Sequence, residues 1–323
     1  MVHSYLISNV NLLVDCQNQQ ISQKVIGTLD DCFFLEKAGS RLNFLHLTLR
    51  YKNNNLTFKT PESARELVYS PSLRVLKDGN VCYLLKGNSV FQLELAEGLG
   101  TGFIDADFWK NPPKSRQEFF MLSLLWLLRP IGFYALHANG IVKDGIGFLF
   151  VGGTGSGKST TALSLIRQGW EVLSDDVTLL RTSSERIEAI AFLKGFSIDP
   201  HLADRCPELQ SLVETSSWNG SKTYINIDSL YRDQFLPGCF PKVLVFPKIV
   251  SRRKSQLLPV DQAKALILLI ENSGGIMLDK DMAINHIEVL KQLIYQTCSY
   301  QLLAGLDLYH KPEKISEIMS QLL

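Results

Sequence analysis

From Met1 to about Trp109 the chain is a succession of short apolar or alternating segments: Val10–Asp15, Cys32–Glu36, Asn43–Tyr51, Leu56–Lys59, Leu73–Lys77, Val81–Lys86 and Val90–Leu95. Alternation of apolar and polar residues, clearest over Asn43–Tyr51, sends successive side chains to opposite faces of a strand and predicts a β-rich module. Between two of these segments, Asp78-Gly79 predicts a hairpin, because both residues tolerate the positive φ of a type I′ turn.

The rhythm breaks at Lys110-Asn111-Pro112-Pro113-Lys114-Ser115. Adjacent prolines forbid a continuing helix, and Ser115 with Glu118 at capping-box spacing predicts the start of a new one through FFMLSLLWLL. The domain boundary falls there, giving an N-terminal β-rich domain over 1–110 and a second domain over 111–323. Beyond that helix the pattern becomes strand, strand, helix, strand: Gly140–Lys143, an Asp144-Gly145 turn, Ile146–Val151, Ser159–Gln168 and Glu171–Ser174. This order predicts an α/β fold with a P-loop core.

A chain of 323 residues, 46% hydrophobic and 20% charged, is long enough for two cored domains and unlike a disordered or fibrous protein. With 33 Lys and Arg against 32 Asp and Glu, its formal charge of +1 offers no global field for nucleic acid or an anionic membrane. Any charged ligand must be gripped locally. The six cysteines are scattered without a CxxC pair and read as small buried hydrophobes rather than a zinc or disulfide framework. The start, MVHSYLISNVNLLVD, lacks the pattern of a signal peptide, and the longest apolar run, Phe119–Leu128, is about half a membrane span. The expected location is the cytoplasm.

The sequence GFLFVGGTGSGKSTTALSLIRQG carries the Walker A pattern G-x-x-x-x-G-K-[ST] at Gly152, Gly157, Lys158 and Ser159, after an apolar strand and before an amphipathic helix. Glycines let the backbone curl so that its N–H groups point at phosphate oxygens, and the helix start adds partial positive charge. The loop Gly152, Gly153, Thr154, Gly155, Ser156, Gly157, Lys158, Ser159 and Thr160 is therefore the expected ATP-binding segment. Lys158 is placed to meet the β- and γ-phosphates and Ser159 to complete a Mg²⁺ shell.

Asp175 and Asp176 end the next apolar strand, across one helix from the loop. There, one carboxylate suits a metal and the other suits the proton of an attacking hydroxyl, although Asp-Asp is also an ordinary turn start. His137, in ALHANG, lies just before the hairpin that delivers the loop. Taken alone, a single His is more often structural than catalytic.

The spacing of His137, GGTGSGKST and the Asp-Asp pair resembles the catalytic half of HPr kinase/phosphorylase and its relatives, strongly over about Ala135–Arg181 and loosely beyond. The resemblance implies ATP- and Mg²⁺-dependent phosphorylation of a hydroxyl, with His137 and Asp175 as the proton-handling dyad and Asp176 and Ser159 at the metal. The family's Arg-Gly-Leu-Gly segment and Pro-Gly-Arg-Asn loop do not occur; the corresponding region reads FPKVLVFPKIVSRRKSQLLPVD. The resemblance therefore does not extend to HPr as substrate or to the phosphorylase back-reaction.

Lys222, Arg252 and Arg253 are the remaining basic candidates for substrate contact, against the plainer reading of a solvated loop. The aromatic set Phe119, Phe120 and Trp126 has helical spacing and reads as core, and Trp218 suits either a pocket or a loop closure. The expected activity is transfer of the γ-phosphoryl group of ATP to a hydroxyl of a small molecule or of a peptide or protein serine. Neither nucleic acid nor membrane is an expected partner, and a homo-oligomer is allowed. The alternative is a nucleotide-binding regulatory or assembly protein without transfer activity, which has no need of His137 and two acids.

Overall fold

The computed structural model describes residues 1–33, 35–37, 44–52, 58–70, 73–198, 206–214, 223–274 and 279–323. It is a mixed α/β structure with several sheets, divided into two compact units, Met1–Phe133 and Tyr134–Leu323.

The first unit is built on a nine-stranded sheet in the order Glu36–Lys37, Val2–Ile7, Val10–Cys16, Phe44–Tyr51, Leu99–Ile104, Ser89–Glu94, Val81–Lys86, Leu73–Asp78, Arg65–Ser70. Its hairpin at Asp78 forms, but the turn residues are Gly79 and Asn80, and only Gly79 has positive φ, +56°. That is the demand of a type II′ turn rather than the expected type I′. Among the described residues, two α-helices belong to this unit. Gln19–Cys32, which the alternation reading missed, connects the parallel strands Val10–Cys16 and Phe44–Tyr51. Asn18 caps it by accepting from the Ile21 amide at 3.0 Å. The segment read as a strand over Cys32–Glu36 therefore starts as a helix end, and its last residue pairs within the short strand Glu36–Lys37. Phe58 and Lys59 are outside any strand, and the rest of the Leu56–Lys59 segment lies outside the described residues.

The helix Pro113–Leu128 packs against Gln19–Cys32 and the strands Val81–Lys86, Ser89–Glu94 and Leu99–Ile104. Phe119, Phe120 and Trp126 are core residues of this unit. The sequence boundary at 110/111 gave this helix to the second domain, whereas the compact units divide after Phe133. The reason is that nearly its whole circumference is apolar and its burial partners lie upstream. Ser115 is inside the first turn and makes no side-chain cap; Pro113 opens the helix, where a missing N–H leaves nothing to satisfy.

The second unit centres on a six-stranded sheet, Glu171–Ser174, Ala138–Lys143, Ile146–Val151, Pro241–Ile249, Cys298–Ala304, Gln256–Pro259. Asp144 and Gly145 have φ +50° and +77°, so the predicted turn joins two of these strands and is of type I′. The helix Lys158–Ile166 buries Ala162, Leu163, Leu165 and Ile166 among Ile141, Phe148, Phe150, Trp170 and Val172. It ends earlier than the expected Gln168, because Gly169 at φ +77° closes it in a Schellman turn, with Gly169 and Trp170 donating to the carbonyls of Ile166 and Leu165. Smaller sheets join Tyr134–Leu136 with Thr178–Ser183, Arg186–Ile190 and Gly238–Cys239, and Gly195–Ile198 with Thr223–Asn226.

Cys16, Cys32, Cys82 and Cys206 are buried as expected, while Cys239 is half-buried and Cys298 exposed. Among the described residues, no helix is long and apolar enough to cross a membrane.

Candidate functional site

Glu171–Ser174, Ile146–Val151, Pro241–Ile249 and Cys298–Ala304 run in the same direction and finish at one edge of the sheet; Ala138–Lys143 runs oppositely and begins there. In open α/β sheets this carboxyl edge is where ligand crevices form. The chain places the glycine loop, both acids and His137 along it.

The loop leaves Val151 and enters the helix at Lys158. Gly155 and Gly157 have φ +82° and +96°, values open to glycine but strained for other residues. A Cβ on Gly152 would stand 2.9 Å from Ser156 Oγ, so a side chain at Gly152 would fill the space the loop curls around. Ser156 Oγ is buried without a hydrogen-bond partner, an orphaned polar atom inside the loop. Lys158 is only 4% exposed, and its Nζ donates to the carbonyls of Gly152 at 2.6 Å and Gly153 at 3.2 Å. Its ammonium thus lies inside the loop. Gly153, Thr154 and Thr160 are exposed; the Thr160 carbonyl accepts the Ser164 hydroxyl at 2.8 Å.

Asp175 is completely buried and serves as a hub. Its Oδ1 accepts from Asn139 Nδ2 and from Ser159 Oγ, the latter at 3.0 Å, while Oδ2 accepts the Ser197 amide at 3.0 Å. Burial pushes its carboxyl up to about 7, and the adjacent Asp176 charge adds to that; the Ser197 amide, the Ser159 hydroxyl and the Lys158 charge pull it back down.

Asp176 faces the other way. It has φ +61°, a left-handed conformation that Asp tolerates better than most residues, and its amide donates to Asn139 Oδ1 at 3.3 Å. One of its oxygens lies 3.4 Å from His137 Nε2, with the two side chains 37% and 33% exposed. The pairing is the reverse of the one the resemblance implied: His137 reaches Asp176, and Ser159 reaches Asp175. The backbone turn at Asp176 is the cause, since it sends one carboxylate inward and the next outward.

His137 sits at the bend between Tyr134–Leu136 and Ala138–Lys143, with its amide donating to the Asn272 carbonyl at 2.8 Å. Asn272 follows the helix Gln262–Glu271, which thereby fixes the histidine backbone. Asn139, Ser197 and Asn272 were missed in the sequence; a signal existed for Asn139 alone, a fully buried amide in an otherwise apolar strand.

Arg252 and Arg253 are exposed, four or fewer residues beyond Ile249, which approaches the position of a Cβ on Gly157 to 3.6 Å. They are at the same sheet edge, but the Arg252 guanidinium donates to Gln256 at 2.9 Å. Lys222 and Trp218 lie outside the described residues.

No family model matches the sequence. No curated protein matches it either. Among solved structures, the chain is distantly similar to the Hpr(Ser) kinase/phosphatase from Coxiella burnetii, at 13% identity and a TM-score of 0.31, over 58% of this chain and 92% of that one.

Proposed function

We propose that the chain is a phosphotransferase that moves the γ-phosphoryl group of ATP to an alcohol, with Mg²⁺ as cofactor. The observation that carries this reading is the two-sided arrangement of the acids. One carboxylate is buried on the hydroxyl of Ser159 beside the glycine loop, and the next is half-exposed on His137. A protein that only bound nucleotide would have use for the first and none for the second.

The loop from Gly152 to Thr160 would hold the phosphates with its amides, the helix start and the buried Lys158 charge. Ser159 and Asp175 would hold Mg²⁺, a donor set of one hydroxyl and one carboxylate that suits an ion retaining several water and phosphate ligands. When bound, the metal supplies positive charge to the phosphate oxygens. Asp176 would take the acceptor's proton, and His137 would orient that carboxylate and share the proton. The O–H bond of the acceptor and the bond from the γ-phosphorus to the β-phosphate oxygen break as the new O–P bond forms, leaving ADP.

The test is ADP formation by the purified chain with Mg-ATP and a panel of alcohols and serine peptides, together with nucleotide affinity. Acceptor-dependent ADP release that Asp176→Asn removes while ATP binding persists supports the reading. Tight ATP binding with no transfer to any acceptor class would favour a regulatory nucleotide-binding protein instead.

A further inference from the structure

Among the described residues, the first unit contains buried donors without an acceptor. Lys86, at the end of its strand, is 6% exposed, and its Nζ has no hydrogen-bond partner. Arg116 Nε and Trp109 Nε1 are likewise buried and unpartnered. A buried ammonium without a counter-charge is strongly unfavourable.

Strand register places Lys86 on the sheet face covered by the helix Pro113–Leu128, toward the end where that helix starts. Gly100 pairs with Leu93, and Leu93 with Cys82; the position of a Cβ on Gly100 is 3.5 Å from Leu127 of the helix. In the next row Gly102 pairs with Phe91, and Phe91 with Leu84; Phe91 stacks on Phe119 and Phe120 at 4.7 and 5.6 Å. The third row pairs Ser89 with Lys86, and Ser89 Oγ accepts the Asp105 amide at 2.9 Å. One helical turn before Phe119 and Phe120, on the same stripe, is Arg116, whose Nη1 donates to the Trp109 carbonyl at 3.3 Å. Lys86 and Arg116 are each one step beyond the phenylalanine stack in the same direction. Lys24 Nζ lies 5.7 Å from the centroid of the Trp109 ring, adding a further cation. Of the acids flanking Trp109, Asp107 pairs with Lys110 at 2.6 Å, and Asp105 accepts the Asp107 amide at 2.9 Å.

We infer that Lys86, Arg116 and the Trp109 indole form a binding site for a free, phosphate-sized oxyanion beneath the uncapped first turn of the helix Pro113–Leu128. Two cations match a dianion, the indole N–H adds a donor, and several oxygens on one ligand can meet them together. Trp109 and Arg116, the half-exposed members, form the cover through which the ion enters. The site shares no residue with the glycine loop and stands whether or not the chain is a kinase.

The experiment titrates inorganic phosphate at millimolar concentration and constant ionic strength into the full chain carrying Lys158→Ala, which weakens the loop's own grip, and follows thermal stability. A saturable rise is expected, with Lys86→Met and Arg116→Gln each weakening the apparent affinity about tenfold or more. Trp109→Phe removes the indole N–H while keeping an aromatic ring, and covers the case in which Lys86→Met fails to fold. Stabilisation that vanishes with Lys158→Ala, or that survives unchanged in both Arg116→Gln and Trp109→Phe, overturns the inference. A phosphate monoester too bulky to pass the cover should compete poorly; equal competition would also overturn the assignment to a free ion.

Discussion

Ser159 Oγ donates to Asp175 Oδ1 at 3.0 Å, tying the first turn of the loop's helix to the end of the next strand. Loop and acid are therefore one unit, and a change in either is felt by the other. Asp175→Asn should weaken nucleotide and Mg²⁺ binding together with turnover, because the amide it introduces cannot accept from Ser159, Asn139 and the Ser197 amide as a carboxylate does. Calorimetric titration with Mg-ADP checks this; undiminished affinity would return Asp175 to the role of base.

Asp176→Asn should leave nucleotide affinity near that of the wild type and slow the chemical step by roughly 10²–10⁴-fold. His137→Ala should also lower kcat more than it changes nucleotide Kd. Single-turnover measurements with saturating ATP separate the two effects. A His137→Ala protein altered only in melting temperature would make the histidine a structural residue.

Lys158→Ala should reduce transfer by about 10²–10³-fold or more, since no other cation is inside the loop. Transfer at the wild-type rate in that variant would sink the kinase reading.

The pH dependence of stability follows from the raised Asp175 carboxyl. The folded state holds this proton more tightly than the unfolded chain, so the group's contribution is full below the ordinary carboxylate range and is lost as pH rises through about 7. Wild-type protein without metal should lose stability relative to Asp175→Asn between about pH 4 and 7, and added Mg²⁺ should restore most at the alkaline end. Parallel melting curves across that range would contradict the burial argument.

A chain beginning at Tyr134 should stay soluble better than one beginning at Lys114, because the latter exposes Phe119, Phe120 and Trp126 without the strands that cover them. Size-exclusion profiles of the two decide it. In the first unit, Gly102→Ala should cost about 1–3 kcal/mol, since the new methyl would stand 2.4 Å from Phe91 and 2.5 Å from Leu49.

The strand, turn, strand, loop and helix from Ala138 to Ile166 were legible because each piece has a local signal: an apolar run, Asp-Gly and a glycine motif. The helix Gln19–Cys32 was not, since its buried stripe of Ile21, Ser22, Val25, Leu29 and Cys32 includes a serine, and Val25, Ile26 and Thr28 favour strands. Which acid meets His137 depends on a single backbone angle at Asp176. Either residue of an Asp-Asp pair can take that conformation, so composition and spacing are silent on it.

The same angle bears on how the activity could be lost in descent. At φ +61°, asparagine and glycine are tolerated in place of Asp176, and each is one base change from an aspartate codon. A lineage could therefore discard the proton acceptor proposed above in one mutational step with the fold and the glycine loop intact. Paralogues with Asn or Gly at this position would be the natural source of pseudokinases on this scaffold.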